Sequence, residues 1–107
     1  MNQMEDRMSN SVGTSVLITH EVGLHARPSV KLTKLAKSFP ADVEIALAPD
    51  GPWIDAKSIV KVMAAKAPKG TTLHLRAAGE RAGEAVAALK ALIERDFDEG
   101  EDHARSA

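Results

Sequence analysis

Six consecutive residues, Gly23-Leu24-His25-Ala26-Arg27-Pro28, set an imidazole two positions from a guanidinium where an alternating pattern gives way to a helical one. A helix start presents N–H groups that lack an intrahelical acceptor, together with the positive end of the macrodipole, and both favour an anion. Imidazole is nucleophilic near neutral pH. His25 can therefore accept a phosphoryl group on a ring nitrogen, with the backbone N–H groups of Ala26 and Arg27 and the guanidinium of Arg27 compensating the added charge. Such a site carries phosphate rather than hydrolysing it. Gly23 supplies the backbone freedom for a close approach beneath a bound anion. A lone histidine is more often an ordinary surface or half-buried residue; its place in a connection and the early Pro28 weigh against that here.

The other side chains exclude competing chemistries. His20, His25, His74 and His103 are scattered without ligand spacing, so no metal site is expected. No serine, histidine and acid set assembles into a hydrolytic triad, and no cofactor is implied. Cysteine is absent, which removes disulfides and thiolate chemistry and fits a cytoplasmic protein. There is no long apolar run for a membrane span, and the polar residues 1–11 resemble neither a secretory signal nor an amphipathic anchor.

Charge is unevenly placed: residues 1–93 carry a net +3 and residues 94–107 a net −4. Arg27, Lys31, Lys34 and Lys37 form a stretch without an acidic residue, a field suited to an acidic partner surface. Nucleic acid is a poorer fit, because no stacking aromatics are interleaved with these bases.

Around this motif the chain reads as seven elements. Residues 14–20 alternate as a strand with Val16 and Ile18 inward, and 26–39 form a helix with Leu32, Leu35, Ala36 and Phe39 in one stripe. Residues 42–48 form a strand with Val43, Ile45 and Leu47 inward. Pro49-Asp50-Gly51 turns the chain into a short strand at 53–55. Lys57 or Ser58 opens a helix burying Ile59, Val62, Met63 and Ala67, and Pro68-Lys69-Gly70 ends it. A strand at 71–77 and a helix at 81–93 complete the order β-α-β-β-α-β-α. Four strands and three amphipathic helices predict an α/β (α+β) two-layer open-faced sandwich, a mainly antiparallel sheet covered on one side. The expected organisation is a flexible extension at 1–13, one domain at 14–96 and an acidic flexible tail at 97–107.

The motif around His25, followed by Lys57-Ser58-Ile59 and Val62-Met63 in the same order, resembles the HPr family. These are the histidine-containing phosphocarriers of the bacterial phosphoenolpyruvate-dependent phosphotransferase system, and the likeness spans about residues 14–96. The resemblance implies an HPr-like fold and a carrier rather than a stand-alone enzyme. It makes His25 the acceptor and donor of phosphate through Nδ1, with Arg27 stabilising the phosphate. It implies enzyme I as donor, a histidine of a IIA component as acceptor, and a monomer whose docking face stays open.

The same resemblance makes Ser58 a regulatory site for an HPr kinase/phosphorylase, beside its plain role as a helix cap. Leu24, Lys31, Val60, Lys61 and Met63 become candidates for partner docking, Met63 being equally readable as core. An alternative function is a regulatory binding protein acting through phosphorylated Ser58, in a nitrogen-related or other non-transport branch. Three residues depart from the family pattern: Ser29 where alanine is common, Val22 where a small polar residue is common, and Lys61 where some members have glycine.

Overall fold

The computed structural model describes residues 11–21 and 23–98. Four strands, β1 (Val12–Leu17), β2 (Asp42–Ala46), β3 (Ile54–Asp55) and β4 (Thr72–Ala78), alternate with α1 (Ala26–Lys37), α2 (Ile59–Ala65) and α3 (Ala82–Glu94). A short turn of 3-10 type follows at Asp96–Asp98. The strands lie in the order β1-β4-β2-β3. Every pairing is antiparallel, with Thr14 opposite Leu75, Ile45 opposite Leu75, and Glu44 opposite Asp55. The open-faced sandwich expected from the periodicities is the architecture observed.

Alternation decides which face is covered. Val16 and Ile18, Val43 and Ile45, and Leu73, Leu75 and Ala77 are buried under the helices. Leu32 and Ala36 of α1 and Ala85, Val86, Leu89, Leu92 and Ile93 of α3 meet them from the other layer. On the uncovered face Arg76 forms an ion pair with Glu44, its cross-strand neighbour, at 2.6 Å, and its guanidinium lies 4.0 Å from the Trp53 ring centroid. Partial burial of both partners gives this pair more weight than a fully exposed one.

Three expectations need correction. The first strand starts at Val12, so residues 12 and 13 belong to the sheet rather than to an extension; residues 1–10 lie outside the described residues. The strand expected at 42–48 stops at Ala46, and Leu47 is 38% exposed instead of inward. Its chain has already left the ladder for the turn in which the Gly51 N–H donates to the Ala48 carbonyl at 3.0 Å, Pro49 and Asp50 between them. The tail expected from residue 97 is not loose at its start: Phe97 is 0% exposed and part of the core, while residues 99–107 lie outside the described residues. Among the described residues no helix is long and apolar enough to cross a membrane.

The two leucines separate core from turn in a measurable way. Leu75→Ala is expected to cost about 2–5 kcal/mol through lost burial and a cavity, and Leu47→Ala to stay within about 0.5 kcal/mol. Urea unfolding followed by the fluorescence of Trp53, the single tryptophan, measures both.

Candidate functional site

The connection from β1 to α1 is pinned at several points. Ile18 donates its N–H to the Thr71 carbonyl at 2.9 Å and accepts from the Gly70 N–H at 2.8 Å. The Gly23 N–H donates to His20 O at 3.0 Å, the His25 N–H to Gly23 O at 2.9 Å, and the Leu24 N–H to Ala67 O at 2.7 Å. Gly23 has φ +64°, and a Cβ there would lie 2.2 Å from the Ala67 oxygen and 2.8 Å from Pro68 Cα. Glycine is required on both counts. The close approach anticipated at Gly23 is therefore made to the chain leaving α2, which fixes the direction in which the connection enters α1.

His25 consequently occupies the N-cap of α1, with extended backbone (φ −98°, ψ −173°) and an exposed side chain that makes no capping hydrogen bond. Its carbonyl accepts the Ser29 N–H at 2.9 Å, the first bond of the helix. Ala26 and Arg27 precede that donor, so helical geometry gives their N–H groups no acceptor within α1, and Pro28 has no N–H. No acidic residue stands in the first turn, so nothing within the helix offsets the positive end of its dipole. Arg27 is exposed beside His25 in sequence, and the expected trio of His25, Ala26 and Arg27 is brought together at one helix end.

Ser58 caps α2: its hydroxyl oxygen accepts the Lys61 N–H at 3.3 Å. The start of this helix is braced further by Asp55, whose Oδ1 accepts the Lys57 N–H at 2.9 Å, and by Lys57 Nζ, which donates to the Phe39 carbonyl at 2.8 Å. The solvent side of α2 carries Val60, 75% exposed, Met63, 41% exposed, and the exposed Lys61. Met63 lies one turn before Ala67, whose carbonyl is bonded to the His25 connection. Of the two readings of Met63, core and surface, the surface one holds, while Val62 of the same helix is fully buried.

Two docking candidates are corrected. Leu24 is 4% exposed, drawn into the core by the bond from its N–H to Ala67, and offers no surface. Lys31 is half-buried, and its Nζ donates to the Phe97 carbonyl at 2.9 Å, so it props the C-terminal turn. Ser29 does not add a donor at the helix start: its Oγ is buried and, like Thr33 Oγ1, makes no hydrogen bond within the protein. Val22 lies outside the described residues. Among the described residues no group of three or more metal-ligating side chains gathers.

Sequence reasoning overlooked Glu21 and Lys69, which form a 2.8 Å ion pair linking the same connection to the turn after α2. The bond and charge of Lys69 hold the Glu21 carboxyl below the usual carboxylate range, and Glu21 in turn holds the Lys69 ammonium above its ordinary range. Opposite charges at 21 and 69, each within two residues of a turn glycine, were the available signal.

An exposed imidazole at a helix start of a small open-faced sandwich fits the class of group carriers. The comparisons agree. A family model described as the PTS HPr component phosphorylation site matches residues 12–95. The phosphocarrier protein HPr of Pseudomonas putida is 44% identical over 86 residues, which cover 80% of this chain and 94% of that protein. The phosphocarrier protein NPr of Escherichia coli K12 is 37% identical over 90 residues, 83% of this chain and 98% of its own. The crystal structure of HPr-C-His from Thermoanaerobacter tengcongensis superimposes with a TM-score of 0.75 at 32% identity, covering 82% of this chain and 97% of that one. The chain belongs to the HPr family, the phosphocarriers of the bacterial phosphotransferase system that work through histidine phosphorylation.

Two outcomes follow from the connection. Gly23→Ala is expected to lower stability by at least about 2 kcal/mol, because it combines a left-handed residue with a backbone clash; the urea midpoint measures it. For Glu21, the folded carboxyl titrates below its unfolded counterpart, so the pair's contribution is present above the unfolded value and is lost as pH falls through the folded one. Lys69, raised on folding, loses its contribution only at alkaline pH. NMR titration of the Glu21 side chain should show the depressed value, Lys69→Ala should return it to the normal range, and added salt should weaken it.

Proposed function

We propose that His25 accepts a phosphoryl group from phospho-enzyme I on Nδ1 and passes it to a histidine of a IIA component. The observation that carries this reading is the exposed imidazole at the N-cap of α1, uncommitted to capping, at the positive end of a helix with no acidic residue in its first turn. In the forward step the Nδ1 lone pair of His25 attacks phosphorus in line, a new N–P bond forms, and the N–P bond to the donor's ring breaks. The reverse geometry serves the next transfer. Because one phosphohistidine replaces another, the exchange is nearly balanced, and the protein's part is positioning and charge compensation. The N–H groups of Ala26 and Arg27 and the Arg27 guanidinium supply that compensation.

Docking is assigned to the solvent face of α2, with Val60 and Met63 as apolar contacts and Lys61 as a charge that selects an acidic rim. This leaves the protein a monomer that engages one partner at a time through a small interface, in the cytoplasm. Likeness to both an HPr and an NPr supports a place in either a sugar-transport or a nitrogen-related branch.

Ser58 supports a second layer. Its hydroxyl sits at the start of α2, two positions before the first docking residue, where a phosphate added by an HPr kinase/phosphorylase would gain from the helix N-terminus and place negative charge before an acidic partner. The same hydroxyl caps the helix, so the structural and regulatory roles coincide at one atom.

Labelled phosphoenolpyruvate, enzyme I and magnesium should place an acid-labile, base-stable phosphoryl group on the protein, and His25→Ala should abolish it. Label that persists in His25→Ala refutes the assignment. An acid-stable adduct made by a kinase and lost in Ser58→Ala would establish the second layer, whereas acid-stable labelling with none through enzyme I would favour the regulatory reading alone.

A further inference from the structure

The C-terminal turn at Asp96–Asp98 touches both sides of the His25 site, and no step above uses it. Ahead of His25, Thr19 Oγ1 donates to Asp96 Oδ1 at 2.6 Å, and the His20 ring meets the Phe97 ring edge-on, centroids 5.8 Å apart and planes at 81°. Beyond His25, Lys31 in the second turn of α1 donates its Nζ proton to the Phe97 carbonyl at 2.9 Å. Phe97 itself is fully buried. Asp96, Phe97 and Asp98 all have left-handed backbone, with φ of +54°, +57° and +62°. That conformation is costly for residues other than glycine and persists only where surrounding contacts impose it. Thr19, His20 and Lys31 provide those contacts for Asp96 and Phe97, and Arg95 holds Asp98 through its side chain at 2.9 Å and its carbonyl at 3.0 Å.

We infer that Asp96 and Phe97 are positioning residues for phosphoryl transfer at His25, an inference that rests on the carrier reading above. The turn clamps the start of the connection against α1. His20 transmits the effect: its ring is held by Phe97, and its carbonyl accepts the Gly23 N–H that begins the turn into His25. With the clamp in place the imidazole has one station relative to the Ala26 and Arg27 N–H groups. Without it the connection is still held at Ile18 and Leu24, but the segment between them has fewer restraints. The site therefore extends to a turn more than seventy residues away in sequence from the histidine.

Phe97→Leu, Thr19→Ala and Thr19→Ser test this in the full chain, by two measurements. The first is NMR relaxation dispersion of the amides at 20–26 in the unphosphorylated protein. Phe97→Leu and Thr19→Ala should introduce microsecond-to-millisecond exchange there, and Thr19→Ser should not. The second is transfer from phospho-enzyme I with this protein as the varied substrate. In Phe97→Leu and Thr19→Ala, kcat should fall about tenfold while KM changes less than about twofold, with Thr19→Ser restoring kcat. A merely structural role lowers the folded fraction instead, raising apparent KM at unchanged kcat with no exchange confined to 20–26, and that pattern overturns the inference. If the parent protein takes no label on His25, the carrier reading fails, while the relaxation data still decide whether the turn clamps the connection.

Discussion

The contact between Gly23 and the chain leaving α2 is the constraint on which the site depends. A left-handed glycine pressed against the Ala67 carbonyl and Pro68 leaves the connection one way to run, and the Leu24–Ala67 hydrogen bond holds it there. From that fixed point follow the extended backbone of His25, the start of α1 at Ala26, and the exposure of the imidazole. The same contact couples two helices with different surfaces: α1 presents His25 at its start and α2 presents the exposed apolar face. Backbone atoms contribute to their relative placement, alongside the Lys57–Phe39 bond and the shared core.

Several basic side chains, among them the docking candidate Lys31, are spent inside the molecule. Lys31 is committed to the carbonyl of Phe97 and Lys57 to that of Phe39, while Arg76 is shared between Glu44 and the face of Trp53. Each lysine closes the end of an element whose carbonyl would otherwise need water. The positive field at the site is correspondingly narrower than a count of Lys and Arg implies. Arg27, Lys34 and Lys37 on α1 and Lys61 on α2 are the exposed cations on the two site-bearing helices.

What could be read in advance was what repeats. The stripes of α1 and α3 and the alternation of β4 recur over enough residues for period alone to place them, and buried Leu32, Leu89, Leu73 and Leu75 are where the pattern puts them. His25 was legible because a strand pattern, a glycine, a histidine and an early proline fall in one short window. Leu24 and Phe97 were not, since Leu24 sits in a turn and Phe97 alone among charged residues, and neither belongs to a repeating pattern. Their burial is decided by distant partners, Ala67 in one case and His20 with Lys31 in the other. Leu47 misled for the opposite reason: it keeps the alternation one step beyond the point where the ladder ends. Tertiary contact overrules local pattern at such ends.

Pro28 has a bearing on how long the cargo stays. At the third helical position it deletes one of the donors that an ordinary helix start would offer to an anion. A fuller cradle would hold the group more firmly and release it more slowly. With one point of grip fewer, a group carried there would leave from a shallower well. A courier is better served by a shallow tray than by a locked case.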